Sequence, residues 1–287
     1  MGDGMKIEPT DAVVGARVLG VDLSDAPSAV EVEAIEAALE RYGLLVFPGQ
    51  SITPAEQIAF SRAFADLELT ELEKARLDGH KEIFVVGNVG NGLVSFAPAD
   101  DGGELEWHTD HIHRERSARA SLLFALEVPS EGGDTLFACM YHAFDALSAA
   151  DQRRYEALRV VHSAAGLEHF LARQDLARPT RSLHGRKHQY VERPLVRRHP
   201  RSGRKALYFG NQVTVGVVGY EDEDAARFVA ELTAHACQPA FQYRHHWQVG
   251  DAVLWDNRRV LHAGTPYNTE TMRRCLHRTT WRETQEA

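Results

Sequence analysis

Apolar residues in the first quarter of the chain recur at helical spacing between two short apolar runs. Ser28 with Glu31 three residues later is a capping box, and Val32, Ile35, Leu39 and Tyr42 then form one buried face before Gly43 stops the helix. Thr53-Pro54-Ala55-Glu56 repeats that start signal with proline at the first helical position, and Ile58, Phe60, Phe64 and Leu67 carry its buried side. Ala12 to Leu23 alternates as a short hairpin, and Leu44 to Phe47 is a buried strand closed by Pro48-Gly49. From Ile83 the texture changes to short apolar runs broken by Gly, Asn, Asp and Pro. These runs are Ile83 to Val86, Ser121 to Leu126, Thr135 to Met140, Val160 to Ser163, Lys205 to Phe209, Phe241 to Trp247 and Ala252 to Trp255. Many short strands with turns between them predict a mainly β fold with flanking helices, a sandwich or barrel of the jelly-roll kind. Further helices are expected over Ser148 to Leu158 and Glu221 to Cys237. Leu167 to Pro194 has little periodicity and is expected to be a lid or insertion loop within a single domain spanning 1–287.

Composition narrows the function classes. The chain has 287 residues, 44% hydrophobic and 25% charged, enough to bury a large core. Its net charge of -9 argues against a nucleic-acid partner and for a small-molecule substrate. The basic cluster Arg193, Arg197, Arg198, Arg201, Arg204 and Lys205 lies around Pro194, Pro200, Ser202 and Gly203, where charges are usually solvated. Three scattered cysteines suggest neither a disulfide framework nor a thiolate zinc site. No apolar run reaches membrane-spanning length and Met1 to Pro9 lacks a signal-peptide core, so a soluble cytoplasmic protein without a membrane partner is expected. Whether it forms a homo-oligomer is left open.

The candidate chemistry begins at Trp107-His108-Thr109-Asp110. In an extended stretch, residues i and i+2 share a face, so His108 and Asp110 can reach one metal ion. Such a pair is common by chance and needs a third ligand. Near the C-terminus an apolar strand turns at Asp256-Asn257 and delivers His262 beside Ala263-Gly264. Two histidines and one carboxylate in this arrangement form the facial triad of non-haem iron(II), which leaves coordination positions open for oxygen chemistry. Arg273 to Trp281 alternates like a strand with Arg274, Leu276 and Arg278 on one face, and an arginine beside a metal can take a carboxylate in two parallel hydrogen bonds. Gly132-Gly133-Asp134-Thr135 supplies a tight turn and a hydroxyl able to share that carboxylate. A zinc hydrolase on the same cage is a rival reading, but it gives Thr135 and Arg274 no role. A non-catalytic jelly-roll binding module would be favoured only if a ligand were missing.

The order of these pieces resembles the TauD/TfdA family of iron(II)- and 2-oxoglutarate-dependent dioxygenases. His108-x-Asp110 comes first, then Gly132-Gly133-Asp134-Thr135, then Trp255-Asp256-Asn257-Arg258 with His262, then Arg273-Arg274-x-x-His277-Arg278. The resemblance covers nearly the whole chain and takes in Gly20 to Leu23, Tyr42 to Gln50 and Leu195 to Lys205. It implies a double-stranded β-helix and Fe(II), 2-oxoglutarate and O2 as cofactor and cosubstrates. It implies that His108, Asp110 and His262 bind the metal and that Thr135 and Arg274 hold the distal carboxylate of 2-oxoglutarate. By the same resemblance Arg278 is expected to face the metal centre and to contact either the cosubstrate's other carboxylate or an anionic group of the substrate. The reaction so implied is oxidation, chiefly hydroxylation, of a C–H on a small carboxylate-bearing molecule with release of succinate and CO2. Asp110 supports hydroxylation, because related halogenases have alanine or glycine there and use the space for a halide.

Taurine-oxidising relatives have an asparagine a few residues ahead of the first ligand, whereas this chain reads Gly102-Gly103-Glu104-Leu105-Glu106-Trp107. A carboxylate at Glu104 repels a sulfonate and disfavours taurine. By the same resemblance, Asn88, Asn91, Glu104, Tyr208, Phe209, Asn211 and Arg278 are candidates for lining the substrate pocket, and His111 and His113 follow the ligand motif closely.

Overall fold

The computed structural model describes residues 4–69, 75–90, 92, 105–166 and 189–283. Asn91, Glu104 and residues 167–188 of the expected lid lie outside them. The chain opens with a hairpin of β1 (Lys6–Pro9) and β2 (Ala16–Leu19), followed by α1 (Ala29–Tyr42), β3 (Leu44–Phe47) and α2 (Pro54–Arg62). Then come β4 (Arg76–Leu77), β5 (His80–Gly87), β6 (Ala118–Glu127), β7 (Thr135–Cys139), α3 (Met140–Asp145), α4 (Ala149–Glu156) and β8 (Arg159–His162). The remainder comprises β9 (Val191–Pro194), β10 (Val196–Arg198), β11 (Lys205–Leu207), β12 (Thr214–Val217), α5 (Asp222–Ala236), β13 (Gln242–His245), β14 (Ala252–Asp256), β15 (Val260–Gly264) and β16 (Cys275–Arg282).

Both capping boxes form, and Gly43 closes α1 in the left-handed region at φ 75°. The hairpin lies earlier than expected: its first arm is Lys6–Pro9, and Val13 and Val14 belong to the connection. The end of the expected lid also differs, because Val191–Pro194 is a strand paired with β8. Alpha-2 stops at Arg62, so Phe64 lies beyond it, where its ring stacks on Trp281 at 4.7 Å. Helix α3 carries no side-chain cap and continues directly from β7, which explains why no start signal announces it.

An eight-stranded sheet runs in the order β1-β2-β3-β14-β6-β16-β5-β4, and a three-stranded sheet in the order β13-β7-β15. Alternation along the strands divides the interior in two. Leu44 and Val46 of β3, Leu123 and Ala125 of β6, and Val253 and Trp255 of β14 pack toward the smaller sheet, where the Phe137 and Trp255 rings lie 5.5 Å apart. Leu45 and Phe47, Leu122 and Phe124, and Ala252 and Leu254 point the other way, into a second core with Ile35 and Leu39 of α1 and Ile58 and Phe60 of α2. Strands covered on both faces read as continuous apolar runs, as these do. Two packed sheets with helices on one outer face make a jelly roll, as expected from the strand pattern.

The turn between β14 and β15 is held by a buried ion cluster. Arg258 grips Asp256 through Nε at 2.8 Å and its terminal nitrogen at 2.6 Å, while His199 Nε2 lies 2.9 Å from the same carboxylate. Burial alone would raise the Asp256 pKa, but Arg258 and His199 overturn that and hold it well below the usual carboxylate range. Asp256→Ala is expected to destabilise the fold by about 3–5 kcal/mol, since it strands a buried cation. Because the folded pKa is depressed, this contribution is complete above the unfolded carboxylate pKa and fades as pH falls through the folded value. Urea unfolding of both proteins checks this: the gap should be full at pH 7 and shrink on acidification.

Candidate metal and carboxylate site

His108 and His262 are brought together by an isolated antiparallel bridge between the segment preceding β6 and strand β15. His108 N–H donates to the His262 carbonyl at 3.0 Å and His262 N–H to the His108 carbonyl at 2.8 Å. The two rings lie 4.1 Å apart between centroids. His108 Nδ1 donates to the Glu106 carbonyl at 2.8 Å, which fixes the tautomer and leaves Nε2 as a lone-pair donor. Trp255 and Phe137 flank the His262 ring at 4.7 and 6.2 Å, and its Nδ1 is buried without a hydrogen-bond partner among the described residues. Asp110 completes the group, and one ligand atom from each of the three lies within 4.8 Å of the others.

Electrostatics set all three in the protonation state that metal binding needs. Burial pushes the pKa of both histidines below the ordinary value, and for His262 the neighbouring His108 adds to the effect, so both rings are neutral near pH 7. Burial would raise Asp110, yet the Arg278 guanidinium, donating to Oδ1 at 2.6 Å, and the two histidines hold its carboxyl well below the usual range. A cluster of two neutral imidazoles, His108 half-buried and His262 buried, with one buried ionised carboxylate fits iron(II) with room for further ligands.

A second feature lies beside it. In β7, Thr135 shares a face with Phe137, which pairs with His262 across the two strands. The turn before Thr135 needs both glycines. Gly132 and Gly133 have φ of +70° and +66°, and a Cβ on Gly132 would sit 2.3 Å from the Pro266 carbonyl oxygen. Arg274 is buried at 3% exposure, with Nε donating to the Gly133 carbonyl at 3.1 Å. It pairs with no carboxylate among the described residues, and burial lowers its pKa to about 10, offset in part by Tyr267 and Asp134. Its neighbour Arg273 points outward and pairs with Glu127, as strand alternation requires. A buried guanidinium with no acid paired to it among the described residues can take an incoming anion.

Thr135 has a hydrogen-bond donor to offer on the same side. Trp247 Nε1, which can only donate, gives its hydrogen to Thr135 Oγ1 at 3.0 Å, so the threonine hydroxyl keeps its own hydrogen to give away. Trp247→Phe is expected to raise the half-saturating concentration of 2-oxoglutarate about tenfold, the equivalent of one hydrogen bond. Steady-state succinate formation against cosubstrate concentration checks it, and an unchanged value would remove Trp247 from this role.

The remaining candidates separate by environment. The Asn88 side chain is engaged by backbone, donating to the Thr269 and Met272 carbonyls and accepting from Arg274 N–H, so it positions the approach to β16. Asn211 likewise braces the ligand segment, its Nδ2 donating to the Leu105 carbonyl at 2.9 Å and its N–H to that of Trp107. Tyr208 and Phe209 are buried, Tyr208 under the Arg197 guanidinium at 5.2 Å. Asn91 and Glu104 are outside the described residues. Unforeseen from sequence were Trp247, Ser121 and the role of Asn257. The first two read as ordinary strand residues, and Asn257 stood only inside a motif.

A jelly roll carrying a buried His-Asp-His cluster next to an acid-free buried arginine is the arrangement of a non-haem iron(II), 2-oxoglutarate-dependent dioxygenase. Comparison with known proteins supplies the family: the profile described as "Taurine catabolism dioxygenase TauD, TfdA family" matches residues 6–280, and the chain belongs to that family. It is 35% identical over 286 residues to the (S)-phenoxypropionate/alpha-ketoglutarate-dioxygenase of Sphingobium herbicidovorans, covering 96% of this chain and 95% of that protein. It is also 35% identical over 293 residues to the alpha-ketoglutarate-dependent 2,4-dichlorophenoxyacetate dioxygenase of Cupriavidus pinatubonensis, covering 95% and 96% respectively. Among solved structures, AAD-2 in complex with Mn(II) and N-oxalylglycine superposes with a TM-score of 0.81 at 27% identity, covering 99% of both chains. The protein is therefore an oxidoreductase that uses Fe(II), 2-oxoglutarate and O2, and the hydrolase and binding-module readings fall.

Proposed function

We propose that this dioxygenase hydroxylates a C–H of a small carboxylate-bearing molecule, with His108, Asp110 and His262 holding iron and Thr135 and Arg274 holding the distal carboxylate of 2-oxoglutarate. When bound, iron with 2-oxoglutarate and O2 supplies the oxidising chemistry, one oxygen atom leaving in succinate with loss of CO2 and the other entering the substrate. The chain's own residues bind, orient and exclude water. Phe137 and Trp255 wall the His262 side of the ligand group with apolar surface, which strengthens every charge interaction within it. The observation that carries the reading is Arg274, a buried cation with no carboxylate paired to it among the described residues.

Arg278 supports a carboxylate on the substrate. Its NH1 is on Asp110, its guanidinium lies 4.8 Å over Phe84, and its buried Nε has no partner among the described residues, so one N–H is left for an anion. Two 35%-identical relatives are named for aryloxy-carboxylic acids, which favours that class over sulfonates. The test is aerobic succinate formation with Fe(II) and ascorbate across aryloxyalkanoates, other carboxylic acids, sulfonates and sulfate esters, with product mass read in parallel. Stimulation by sulfonates or sulfate esters alone would overturn the carboxylate assignment.

We further propose a single-domain cytoplasmic enzyme with no nucleic-acid or membrane partner. Much of the basic cluster is neutralised within the fold: Arg197 pairs with Glu283, Arg201 with Glu36 and Glu40, Arg204 with Asp145 and Lys205 with Glu156. Among the described residues no helix is long and apolar enough to cross a membrane.

A further inference from the structure

We infer that Trp255, Asn257 and Ser121 form a one-directional hydrogen-bond relay that orients the Asp110 carboxylate for metal binding. The direction follows from chemistry at each link. An indole N–H can only donate, and Trp255 Nε1 lies 2.9 Å from Asn257 Oδ1. The Asp110 backbone N–H donates to the same oxygen at 3.2 Å, so two donors converge on it and the amide cannot be turned round. Its nitrogen is therefore the end that faces Ser121 Oγ, at 3.0 Å. An amide nitrogen can only donate, so Ser121 accepts from it and has its own hydrogen left to give. That hydrogen goes to Asp110 Oδ2 at 2.6 Å, the alternative acceptor Thr280 Oγ1 being 3.5 Å away.

Every member is buried, and they come from three separate parts of the fold: β14 and its turn, β6, and the ligand segment itself. The Thr109 hydroxyl donates to the Asn257 carbonyl at 2.5 Å, so the residue between the first two ligands is tied to the same turn. The relay is made wholly of the chain's own groups, as are the outer contacts that orient metal ligands. Ser121 holds Asp110 Oδ2 and Arg278 holds Oδ1, so the carboxylate is fixed at both oxygens and its plane is set by the fold.

This inference rests on the ligand assignment proposed above, and the experiment separates the two. Anaerobic chelator competition gives the Fe(II) affinity of the full-length protein, with melting of the metal-free form followed alongside. Ser121→Ala removes one oxygen atom and should weaken Fe(II) binding about 10- to 100-fold, the range for outer partners of metal ligands. Ser121→Thr, which keeps the hydroxyl, should restore affinity to within a few-fold. Asn257→Ala should weaken binding to a similar degree, and the double variant should be no weaker than the worse single one, because both act through one hydrogen bond. Fe(II) affinity of Ser121→Ala within twofold of wild type would overturn the relay, as would fully additive effects. Wild-type protein that takes up no Fe(II) would instead unseat the ligand assignment. If Asn257→Ala does not fold, the Ser121 pair decides alone.

Discussion

Arg274→Ala is expected to raise the 2-oxoglutarate concentration needed for binding by about 100- to 1,000-fold while Fe(II) still binds. The incoming carboxylate would lose a paired, charge-assisted contact worth about 3–5 kcal/mol in a buried setting, which is two to three orders of magnitude in affinity. Arg274 lies outside the metal cluster, and no hydrogen bond links it to His108, Asp110 or His262 among the described residues, so the iron site should be spared. Arg274→Lys should recover only part of the loss, because an ammonium cannot reproduce the planar two-point grip or the Nε contact to Gly133. Anaerobic calorimetry on Fe(II)-loaded protein, titrating 2-oxoglutarate, separates the two affinities. Wild-type cosubstrate affinity in Arg274→Ala would remove this residue from the clamp.

That Arg274 and not Arg273 turns into the fold was legible in the chain. Alternation over Arg273 to Trp281 placed Arg274, Leu276 and Arg278 together, and Arg273 does turn out to solvent and Glu127. The same kind of local rule gave α1 and α2, whose caps are written within four residues, and the doubly covered strands, whose apolar runs are continuous. The triad was legible as residue types in an order. What was not legible is contact between distant positions made by common residues. Ser121 and Asp110 are eleven residues apart and Asn257 and Asp110 are separated by 147, and only the pairing of β14 with β6 brings serine and asparagine under the carboxylate. Trp247 is in the same case, since its partner Thr135 lies 112 residues away across the β13–β7 pair. Helix α3 escaped for the opposite reason: it lacks even a local signal.

Asp110→Ala is expected to lower Fe(II) affinity by more than about 100-fold, because the loss of a ligand must exceed the roughly 10- to 100-fold typical of the groups that only orient one. The effect should also exceed that of His108→Ala, for an electrostatic reason specific to this site. Asp110 is the only anion in the ligand group, and its Oδ1 is what neutralises Arg278. Without the carboxylate, a metal dication and a guanidinium face each other across a buried space where charges are weakly screened. Removing the guanidinium as well should therefore help: Asp110→Ala/Arg278→Ala is expected to bind Fe(II) more tightly than Asp110→Ala alone, although neither forms succinate. Arg278→Ala by itself should keep iron, since all three ligands and the Ser121 contact to Oδ2 remain. Anaerobic Fe(II) titration of the four proteins reads the sign directly. Equal affinities for Asp110→Ala and the double variant would show that Arg278 does not act on the metal through charge, and near-wild-type iron binding by Asp110→Ala would remove Asp110 from the ligand set.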